Sequence, residues 1–398
     1  MNTRTRVALL GVSFLMAPAA LAQSVGDPVP DTFICTLVSG PVSTTYEANR
    51  AASQAGGRVL HNYSRIFNGF ALRVSDRAID TLVERNPTIT GCSQAVYVGL
   101  PDAGAAARGA PRPDGGGGKP DNGGGGGGGG KPGGGGGSDQ TVPWGVARVG
   151  TGTPNGNVAW VVDTGVDVDN PDLNLVGSAE FLTSETFGGN ANSVDDLNGH
   201  GTHVAGTIAA LDNTIGVVGV APGAPVYSVR VLDSFGVAPD SDVAAGLDFV
   251  AANASVGDVV NLSLTADQGS TILDAGVQAL ADGGVFVVMA AGNSGVNVDT
   301  GSVSPAYNNG RNLFTVSAID KRSNLASFSN YGASVDYAEP GVRILSLAPG
   351  GGTTNKDGTS MAAPHLSGIL LVTGGSVGAD GQVKRDKDGT AEDVGVLP

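Results

Sequence analysis

The sequence predicts an α/β protein with a doubly wound, mostly parallel sheet and helices on both faces, preceded by a small α+β domain. Three observations lead to this prediction. After Gln140, short apolar runs alternate with helical stretches, a pattern typical of parallel sheets. Before Leu100, strands and helices follow a different order. Between the two lies a glycine-rich stretch without the apolar residues that a packed core needs.

The first 22 residues have the pattern of a signal peptide. Arg4 and Arg6 supply the positive start, residues 7–17 are mostly apolar, and residues 20–22 (Ala-Leu-Ala) form a small-x-small cleavage site. The apolar stretch is too short to span a bilayer comfortably, although a retained anchor is the alternative. We therefore expect a secreted protein, extracellular or periplasmic, in a compartment that permits disulfides.

Residues 31–100 predict a small domain with the order strand–helix–strand–strand–helix–strand, which is the ferredoxin-like split pattern. Its helices are expected at residues 45–55 and 76–84. The first and last strands are neighbours in this topology. Cys35 in the first strand and Cys92 in the last are the only cysteines, so we expect a disulfide between them. Two buried free thiols are the alternative.

Residues 101–138 are dominated by glycine runs that are broken by Lys-Pro pairs. Such a chain cannot bury enough apolar surface to offset its backbone entropy, which predicts a flexible linker. A phosphate-binding loop is the alternative. It is disfavoured because no predicted strand precedes these runs and no predicted helix follows them.

The second domain is expected over residues 139–375. Its predicted strands are residues 158–162, 226–231, 259–264, 284–290 and 312–316, and its predicted helices are residues 203–211, 241–252, 272–282 and 361–372. Chemistry in a doubly wound sheet lies at the carboxyl ends of the strands. Asp163 directly follows the first strand, so its carboxylate is expected there.

Ser360 is the candidate nucleophile, because it precedes the apolar run of the last helix. At a helix N-terminus, unpaired N–H groups and the helix dipole favour a developing oxyanion. A simple N-cap role for Thr359 or Ser360 is the alternative.

Asn293 follows another predicted strand and is the candidate oxyanion donor, since its amide donates without titrating. Its alternative is an ordinary turn residue.

A serine nucleophile needs a neighbouring base, and that base needs an acidic partner. Of the 4 histidines, His61 belongs to the first domain, and His203 and His365 fall inside apolar helical runs. His200 lies between glycines just before its helix, so we assign it as the base and Asp163 as its partner. A metal site on His200 and His203 is disfavoured, because no Glu separates them as in a zinc-protease helix.

Three motifs resemble the signatures of subtilisin-like serine proteases, the subtilase family. They are residues 163–165 (Asp-Thr-Gly), 200–206 (His-Gly-Thr-His-Val-Ala-Gly) and 358–365 (Gly-Thr-Ser-Met-Ala-Ala-Pro-His), in the family's order Asp, His, Ser. The resemblance implies a catalytic triad of Asp163, His200 and Ser360, with Asn293 completing the oxyanion hole. The sedolisin relatives have a Glu in place of this His, which argues against them.

The first domain resembles the inhibitor-type propeptide of the same proteases. The residues that carry this resemblance are 59–63 (Val-Leu-His-Asn-Tyr) and 67–72 (Phe-Asn-Gly-Phe-Ala-Leu). It implies a zymogen that is inhibited by its own propeptide, with the propeptide tail near residues 95–100 docked like a product. An unrelated ferredoxin-like domain is the alternative.

The resemblance also implies a structural Ca²⁺ site. Family members often bind calcium through a Gln near the mature start, an Asp after the catalytic Asp, and a loop that interrupts the His helix. The matching ligands are the side chains of Gln140, Asp172 and Asn213 and the carbonyls of Leu211, Ile215 and Val217. This all-oxygen set suits Ca²⁺ better than a transition metal. A polar loop without an ion is the alternative.

The chain departs from the family in places, which include Glu339 where a small residue is common and the unusually long glycine-rich linker. Thr265 and Ala266 replace the glycines that usually lie beside the substrate, so we expect a narrower cleft.

Residues 376–398 are polar and charged, and residues 386–389 (Asp-Lys-Asp-Gly) lack the spacing of a calcium loop. We therefore expect a solvated C-terminal tail.

Together these features predict a secreted, self-processing serine endopeptidase that acts on polypeptides through an acyl-enzyme, most simply as a monomer. The formal net charge of −15 argues against nucleic acid and anionic membranes as partners. A catalytically silent homologue that binds peptides in the same groove is one alternative. A surface protein in which the glycine tract is the working part is another.

Overall fold

The computed structural model describes residues 24–38, 40, 43–101, 140–183, 193–300 and 303–398. The predicted signal peptide and nearly all of the predicted glycine-rich linker lie outside the described residues. In the described parts of the chain, no helix is both long enough and apolar enough to cross a membrane.

The N-terminal unit forms the predicted split pattern. Its elements are β1 (Pro28–Leu37), α1 (Thr44–Ala55), β2 (Arg58–Tyr63), β3 (Gly69–Arg73), α2 (Asp76–Arg85) and β4 (Ile89–Gly99). The strands run antiparallel in the order β2-β3-β1-β4. Cys35 lies directly opposite Cys92 on β1 and β4, and a disulfide joins them, as expected.

The second unit supplies the remaining elements. Its helices are α3 (Trp144–Val149), α4 (His200–Ala209), α5 (Asp240–Asn253), α6 (Thr271–Asp282) and α7 (Thr359–Thr373). Its strands are β5 (Ala159–Asp163), β6 (Leu175–Glu180), β7 (Val226–Arg230), β8 (Val237–Pro239), β9 (Val259–Leu262), β10 (Phe286–Ala290), β11 (Leu313–Ile319), β12 (Tyr337–Pro340), β13 (Ile344–Leu347), β14 (Thr353–Lys356), β15 (Gly378–Gln382) and β16 (Asp393–Val396).

The main sheet has the order β15-β16-β12-β11-β10-β9-β5-β7-β6, and every neighbouring pair is parallel except β15 and β16. This confirms the predicted doubly wound, mostly parallel sheet. Central strand β5 is buried along its whole length because both faces carry helices. On β5, Trp160 and Val162 pack towards α5 and α6, whereas Val161 packs towards α4 and α7.

The C-terminal segment differs from the expected solvated tail. Strand β16 adds to the sheet parallel to β12, and β15 then pairs with it as the edge strand. Val394 of β16 is fully buried and packs with Ile319, Leu325 and Val383. A four-residue strand has too few apolar positions to give a periodic signal, so composition alone predicted solvent exposure.

Candidate active site

Asp163 and His200 are joined across the carboxyl end of the sheet. Asp163 is the last residue of β5 and is fully buried, and His200 is the first residue of α4. The expectation that His200 precedes the helix is therefore wrong, because the helix starts at His200, three residues before the predicted start at His203. The Nδ1 of His200 lies 2.8 Å from Oδ1 of Asp163 and 3.0 Å from Oδ2. Because an ionised carboxylate only accepts, Nδ1 carries the proton and Nε2 is the basic nitrogen.

A loop organised by Asp196 holds His200 in place. The buried Asp196 carboxylate accepts hydrogen bonds from Gly199 N at 2.7 Å and from Thr202 N at 2.9 Å, which are backbone groups at the start of α4. It also accepts from Thr164 Oγ1 at 2.9 Å, next to Asp163. Sequence reasoning missed Asp196. An acidic residue just before a helix, where unpaired N–H groups and the dipole favour negative charge, was the available signal.

The glycine that follows His200 permits close packing of α4 on the strand end. A Cβ built on Gly201 would collide with the carbonyl oxygen of Gly165 and would lie 3.1 Å from the Cβ of Asp163. Gly201 N also donates to Thr164 Oγ1 at 3.0 Å. A side chain at this position would push His200 away from Asp163.

Ser360 lies at the N-terminus of α7 and is tied to the end of β9. Its Oγ donates to the carbonyl of Ser263 at 3.2 Å, and Ser263 Oγ donates to the carbonyl of Ser360 at 3.0 Å. Asn261 of β9 donates to Ser263 Oγ at 2.8 Å and completes this link. Among the described residues, no hydrogen bond joins Ser360 Oγ to His200, so the structure brings the predicted pair to one sheet edge without engaging it.

Asn293 is hydrogen-bonded to the start of α7. Its Oδ1 accepts from Thr359 N and from Thr359 Oγ1, both at 2.9 Å. Thr359 Oγ1 in turn accepts from Gly292 N at 3.0 Å. This orientation turns Nδ2 towards Gly358, where a built Cβ would lie 3.1 Å from it. The amide nitrogen therefore lies close to the loop that leads into Ser360.

The other two histidines of this unit are packed in the core, as expected. His203 Nε2 contacts the carbonyl of Ile344 at 2.9 Å, and His365 Nδ1 contacts the carbonyl of Met361 at 2.9 Å. Burial lowers the pKa of His203 to about 3 and the pKa of His365 to about 4, so both are neutral near pH 7.

Comparison with known proteins identifies the family. Residues 155–374 match Peptidase_S8, the subtilase family. This chain belongs to the subtilase family. M-protease of Shouchella clausii (strain KSM-K16) is 44% identical over 241 residues, which cover 58% of this chain and 60% of that protein. Subtilisin Savinase of Lederbergia lenta is also 44% identical over 241 residues, which cover 84% of its length.

A solved structure, titled a crystal structure of a cold adapted subtilisin-like serine proteinase, is similar to this subtilase chain with a TM-score of 0.52 and 30% identity. The match covers 64% of this chain and 97% of the other. The match to M-protease spans less than two thirds of that protein's length. The sequence and structure comparisons both agree with membership of the subtilase family.

The predicted calcium ligands of this subtilase converge at the end of α4. Gln140 Nε2 lies 2.6 Å from the carbonyl of Leu211, 3.1 Å from the carbonyl of Val217 and 3.3 Å from Asn213 Oδ1. Asp172 accepts from Asn213 Nδ2 at 2.7 Å and from Val217 N at 3.2 Å. Three of the predicted ligand oxygens, from Leu211, Asn213 and Val217, thus accept hydrogen bonds from one donor, the Gln140 amide nitrogen.

Ile215 is the predicted ligand with the least support. Its contact with Asn213 is made by its backbone N, which donates to Oδ1 at 2.7 Å, and not by the carbonyl oxygen that an ion would need. In the part of the chain that the structure describes, no group of three or more His, Cys, Asp or Glu side chains is placed so that it could hold a metal ion. Any cation here would therefore depend on amide and carbonyl oxygens, together with the single carboxylate of Asp172.

The tail of the N-terminal unit lies beside the candidate active site. Strand β4 pairs antiparallel with β8, and Leu100 N donates to the carbonyl of Gly236 at 2.9 Å. On its other edge, Gly99 forms an antiparallel bridge with Thr265, which follows β9. The side chains of Thr265 and Ala266 are buried, and the backbone of Thr265 pairs with Gly99 although neither position is glycine.

The same unit docks on α5 through polar contacts. Asp248 Oδ1 accepts from the backbone N of Ser64, Arg65 and Ile66 at 2.9, 2.6 and 3.0 Å. Tyr63 donates to the carbonyl of Ser241 at 2.9 Å. Backbone N–H groups of the N-terminal unit thus donate hydrogen bonds to the Asp248 carboxylate of the second unit.

Proposed function

We propose that this chain is a secreted serine endopeptidase that is made as a zymogen and cleaves polypeptides through Asp163, His200 and Ser360. The observation that carries the proposal is the 2.8 Å contact between His200 Nδ1 and the buried Asp163 carboxylate, at the sheet edge where α7 presents Ser360. Such a pair makes Nε2 a proton acceptor and stabilises the imidazolium that forms.

The reaction needs three linked steps at this edge. His200 Nε2 takes the proton of Ser360 Oγ as that oxygen attacks the scissile carbonyl carbon. The C–N bond then breaks, and His200 gives the proton to the leaving amine. Water, deprotonated by His200, attacks the ester that remains on Ser360, and His200 returns that proton to Ser360 Oγ as the ester C–O bond breaks. Asp163 stays ionised and orients the imidazole throughout.

The oxyanion is proposed to lie between the N-terminus of α7 and Asn293. Backbone N–H groups of the first turn carry the positive end of the helix dipole. Thr359 holds Oδ1 of Asn293 through two hydrogen bonds, which leaves Nδ2 as the end of the amide that faces the Gly358 loop. An amide fixed in this way stabilises the developing charge without reorganising.

The N-terminal unit is proposed to be the propeptide, an intramolecular inhibitor. Its tail occupies an edge between β8 and Thr265 that an extended polypeptide substrate would use in the same antiparallel manner. The unit is therefore expected to block the cleft until the chain is cut after it. Export through the first 22 residues is part of the same proposal.

The test is self-processing of the secreted chain. Wild-type protein is expected to lose the N-terminal unit and to hydrolyse casein, as followed by intact mass spectrometry. The variant Ser360→Ala is expected to accumulate uncleaved precursor, whereas the control Ser376→Ala, an exposed serine beyond α7, should process normally. Normal processing and casein hydrolysis by Ser360→Ala would contradict the proposal.

A peptide-binding homologue without activity is the second candidate, and one observation favours it. Ser360 Oγ is bonded to Ser263 and not to His200 in this structure. The two candidates differ in the casein assay: a binder would show no Ser360-dependent hydrolysis even after the N-terminal unit has been removed.

We also propose that Gln140, Asp172, Asn213, Leu211, Ile215 and Val217 hold a structural Ca²⁺. The residues fit such an ion, because three candidate oxygens converge on the Gln140 amide and a Cβ built on Gly216 would collide with Asp172 Oδ2. Burial raises the pKa of Asp172, a cost that a cation beside it would offset. Rotation of the Gln140 amide would present its oxygen to the ion. When bound, the ion would cross-link residue 140 to the loop after α4.

A further inference from the structure

The loop of residues 291–296, which carries the candidate oxyanion donor and is called the oxyanion loop below, is held by one buried side chain, Asn330. The Oδ1 of Asn330 accepts from Ser294 N at 3.1 Å and from Val296 N at 3.0 Å. Its Nδ2 donates to the carbonyl of Ala291 at 2.8 Å, so the carboxamide is bonded to both ends of the loop. Asn330 is only 1% exposed, and water is excluded from these bonds.

Backbone hydrogen bonds join the oxyanion loop to the segment that contains Asn330, residues 327–331. Asn330 N donates to the carbonyl of Gly292 at 2.9 Å, and Gly295 N donates to the carbonyl of Phe328 at 2.8 Å. The loop and this segment are therefore linked through both their backbones and a side chain. A displacement of residues 327–331 would move the oxyanion donor with it.

The C-terminal segment holds residues 327–331 from the other side through Lys387, which lies between β15 and β16. The Nζ of Lys387 donates to the carbonyls of Ser327 and Ser329, both at 3.2 Å. The same ammonium lies 5.0 Å from the centroid of the Tyr331 ring, which is within cation–π range. One side chain thus contacts three residues of the segment, which restricts its movement relative to the C-terminal strands.

We propose that Lys387 is a positioning residue for the oxyanion hole and that Asn330 transmits its effect to Asn293. The inference rests on the proposed function, in which the Asn293 amide stabilises the oxyanion. Lys387 lies beyond residues 155–374, which match the subtilase family, so the C-terminal strands add a support from outside the matched region. Lys387 holds residues 327–331 and Asn330 holds the oxyanion loop, so the donor is aligned before the oxyanion forms.

The first experiment compares steady-state kinetics of processed enzymes that differ at Lys387. Lys387→Met keeps a long side chain without the ammonium, and Lys387→Arg keeps the charge and the donors. The matched control is Lys384→Met, which alters an exposed lysine of the same segment whose Nζ donates to the carbonyl of Arg322 instead.

On a peptide substrate, kcat is expected to fall roughly 3–10-fold in Lys387→Met, the effect of losing one or two hydrogen bonds at the surface. KM should change little, because the oxyanion exists only in the transition state. Lys387→Arg and Lys384→Met should keep the wild-type kcat. An unchanged kcat in Lys387→Met, or a rise in KM alone, would overturn the proposal.

A double-mutant cycle tests whether the effect passes through Asn293. In an Asn293→Ala background, Lys387→Met should cause no further fall in kcat, because the donor that it positions is already absent. Asn330→Ala is expected to lower kcat by roughly 10–100-fold and to show the same dependence on Asn293. An equal fall in both backgrounds for Lys387→Met would mean that Lys387 acts by another route, and the proposal would fail.

Amide hydrogen exchange of residues 291–296 separates failure of this inference from failure of the proposed function, because it needs no turnover. Exchange there should be faster in Lys387→Met than in the wild type and unchanged in Lys384→Met. Equal exchange in all three proteins would overturn the proposal. A wild type without Ser360-dependent hydrolysis would overturn the proposed function, and the exchange rates would still decide whether Lys387 holds the loop.

Discussion

At the scale of single residues, the site depends on side chains that the sequence motifs do not emphasise. His200 and Asp163 were assigned from their positions before a helix and after a strand. Asp196 was not, although its carboxylate joins Thr164 to the first turn of α4. Its partners are mostly backbone N–H groups, whose direction depends on how the loop closes. Sequence reasoning can place a chemical group on an element, but it cannot orient a loop that is stabilised by its own backbone.

Replacement of Asp196 by Asn should lower activity through the position of His200. Asp196 is a positioning residue, and hydrogen bonds to charged groups contribute about 1.5–3 kcal/mol each. We expect kcat to fall by roughly 10–100-fold with little change in KM, since substrate binding does not use this carboxylate. The neighbouring Asp195→Asn is the control. Steady-state kinetics on a peptide substrate would contradict the role if kcat were unchanged or if only KM rose.

At the scale of elements, the strands and helices of the central sheet were predictable, and the edge was not. Strands such as β9 and β10 are buried on both faces, so they appear as continuous apolar runs in the sequence. Strand β16 is short and lies between polar loops, and its pairing with β12 depends on a long-range contact. The edge strands, and the exact residue at which α4 starts, could therefore be assigned only from the tertiary structure.

The loop after α4 gives a prediction for metal removal. Ca²⁺ well above its Kd should raise the Tm of the wild type by about 5–10 °C, because an ion that binds only the folded state stabilises it by mass action. Differential scanning fluorimetry with calcium and with EDTA measures the shift. Asp172→Asn should lose most of this response, whereas Asp212→Asn, an exposed residue of the same loop, should keep it. An unchanged wild-type Tm in EDTA would exclude the calcium site.

The packing of the C-terminal strands gives a prediction for pH dependence. Burial, together with Asp386 and Asp388, raises the pKa of Glu392 from 4.5 to about 7. The folded state thus holds this proton at pH values where the unfolded state has lost it. Glu392 therefore destabilises the fold progressively as pH rises from about 4.5 to 7.

Glu392→Gln cannot ionise and should remove this penalty. Its free energy of unfolding should match that of the wild type near pH 4 and exceed it at pH 8 by on the order of 2–3 kcal/mol, at about 1.4 kcal/mol per pKa unit. Urea unfolding at the two pH values measures the difference. A variant that is less stable than the wild type at pH 8 would contradict this account, because it would mean that the carboxylate has a stabilising partner.

At the scale of the whole molecule, the N-terminal unit and the sheet of the second unit meet in one continuous contact. Strand β8 of the second unit pairs with β4 and so extends the sheet of the N-terminal unit. The loop between β2 and β3 contacts α5. The sequence resemblance predicted a docked tail near residues 95–100 but not the contact at Asp248. One carboxylate oxygen there accepts three consecutive backbone N–H groups, an arrangement that appears only when both units are assembled.

Asp248→Ala should weaken retention of the N-terminal unit after the chain is cut. The loss of charge-assisted hydrogen bonds is expected to increase the dissociation rate by roughly 10–100-fold. Size-exclusion chromatography of the nicked complex measures retention, and Asp282→Ala at the end of α6 is the control. Equal retention in both variants would show that the strand pairing alone holds the unit.

The central claim is that Asp163 and His200 activate Ser360, and labelling by an organophosphorus serine probe tests it most directly. After removal of the N-terminal unit, peptide mapping of the wild type should locate the label on Ser360 alone. His200→Ala should slow labelling by at least about 10³-fold, since the hydroxyl is then without a base. Labelling of His200→Ala at the wild-type rate, or attachment of the label to another serine, would contradict the account.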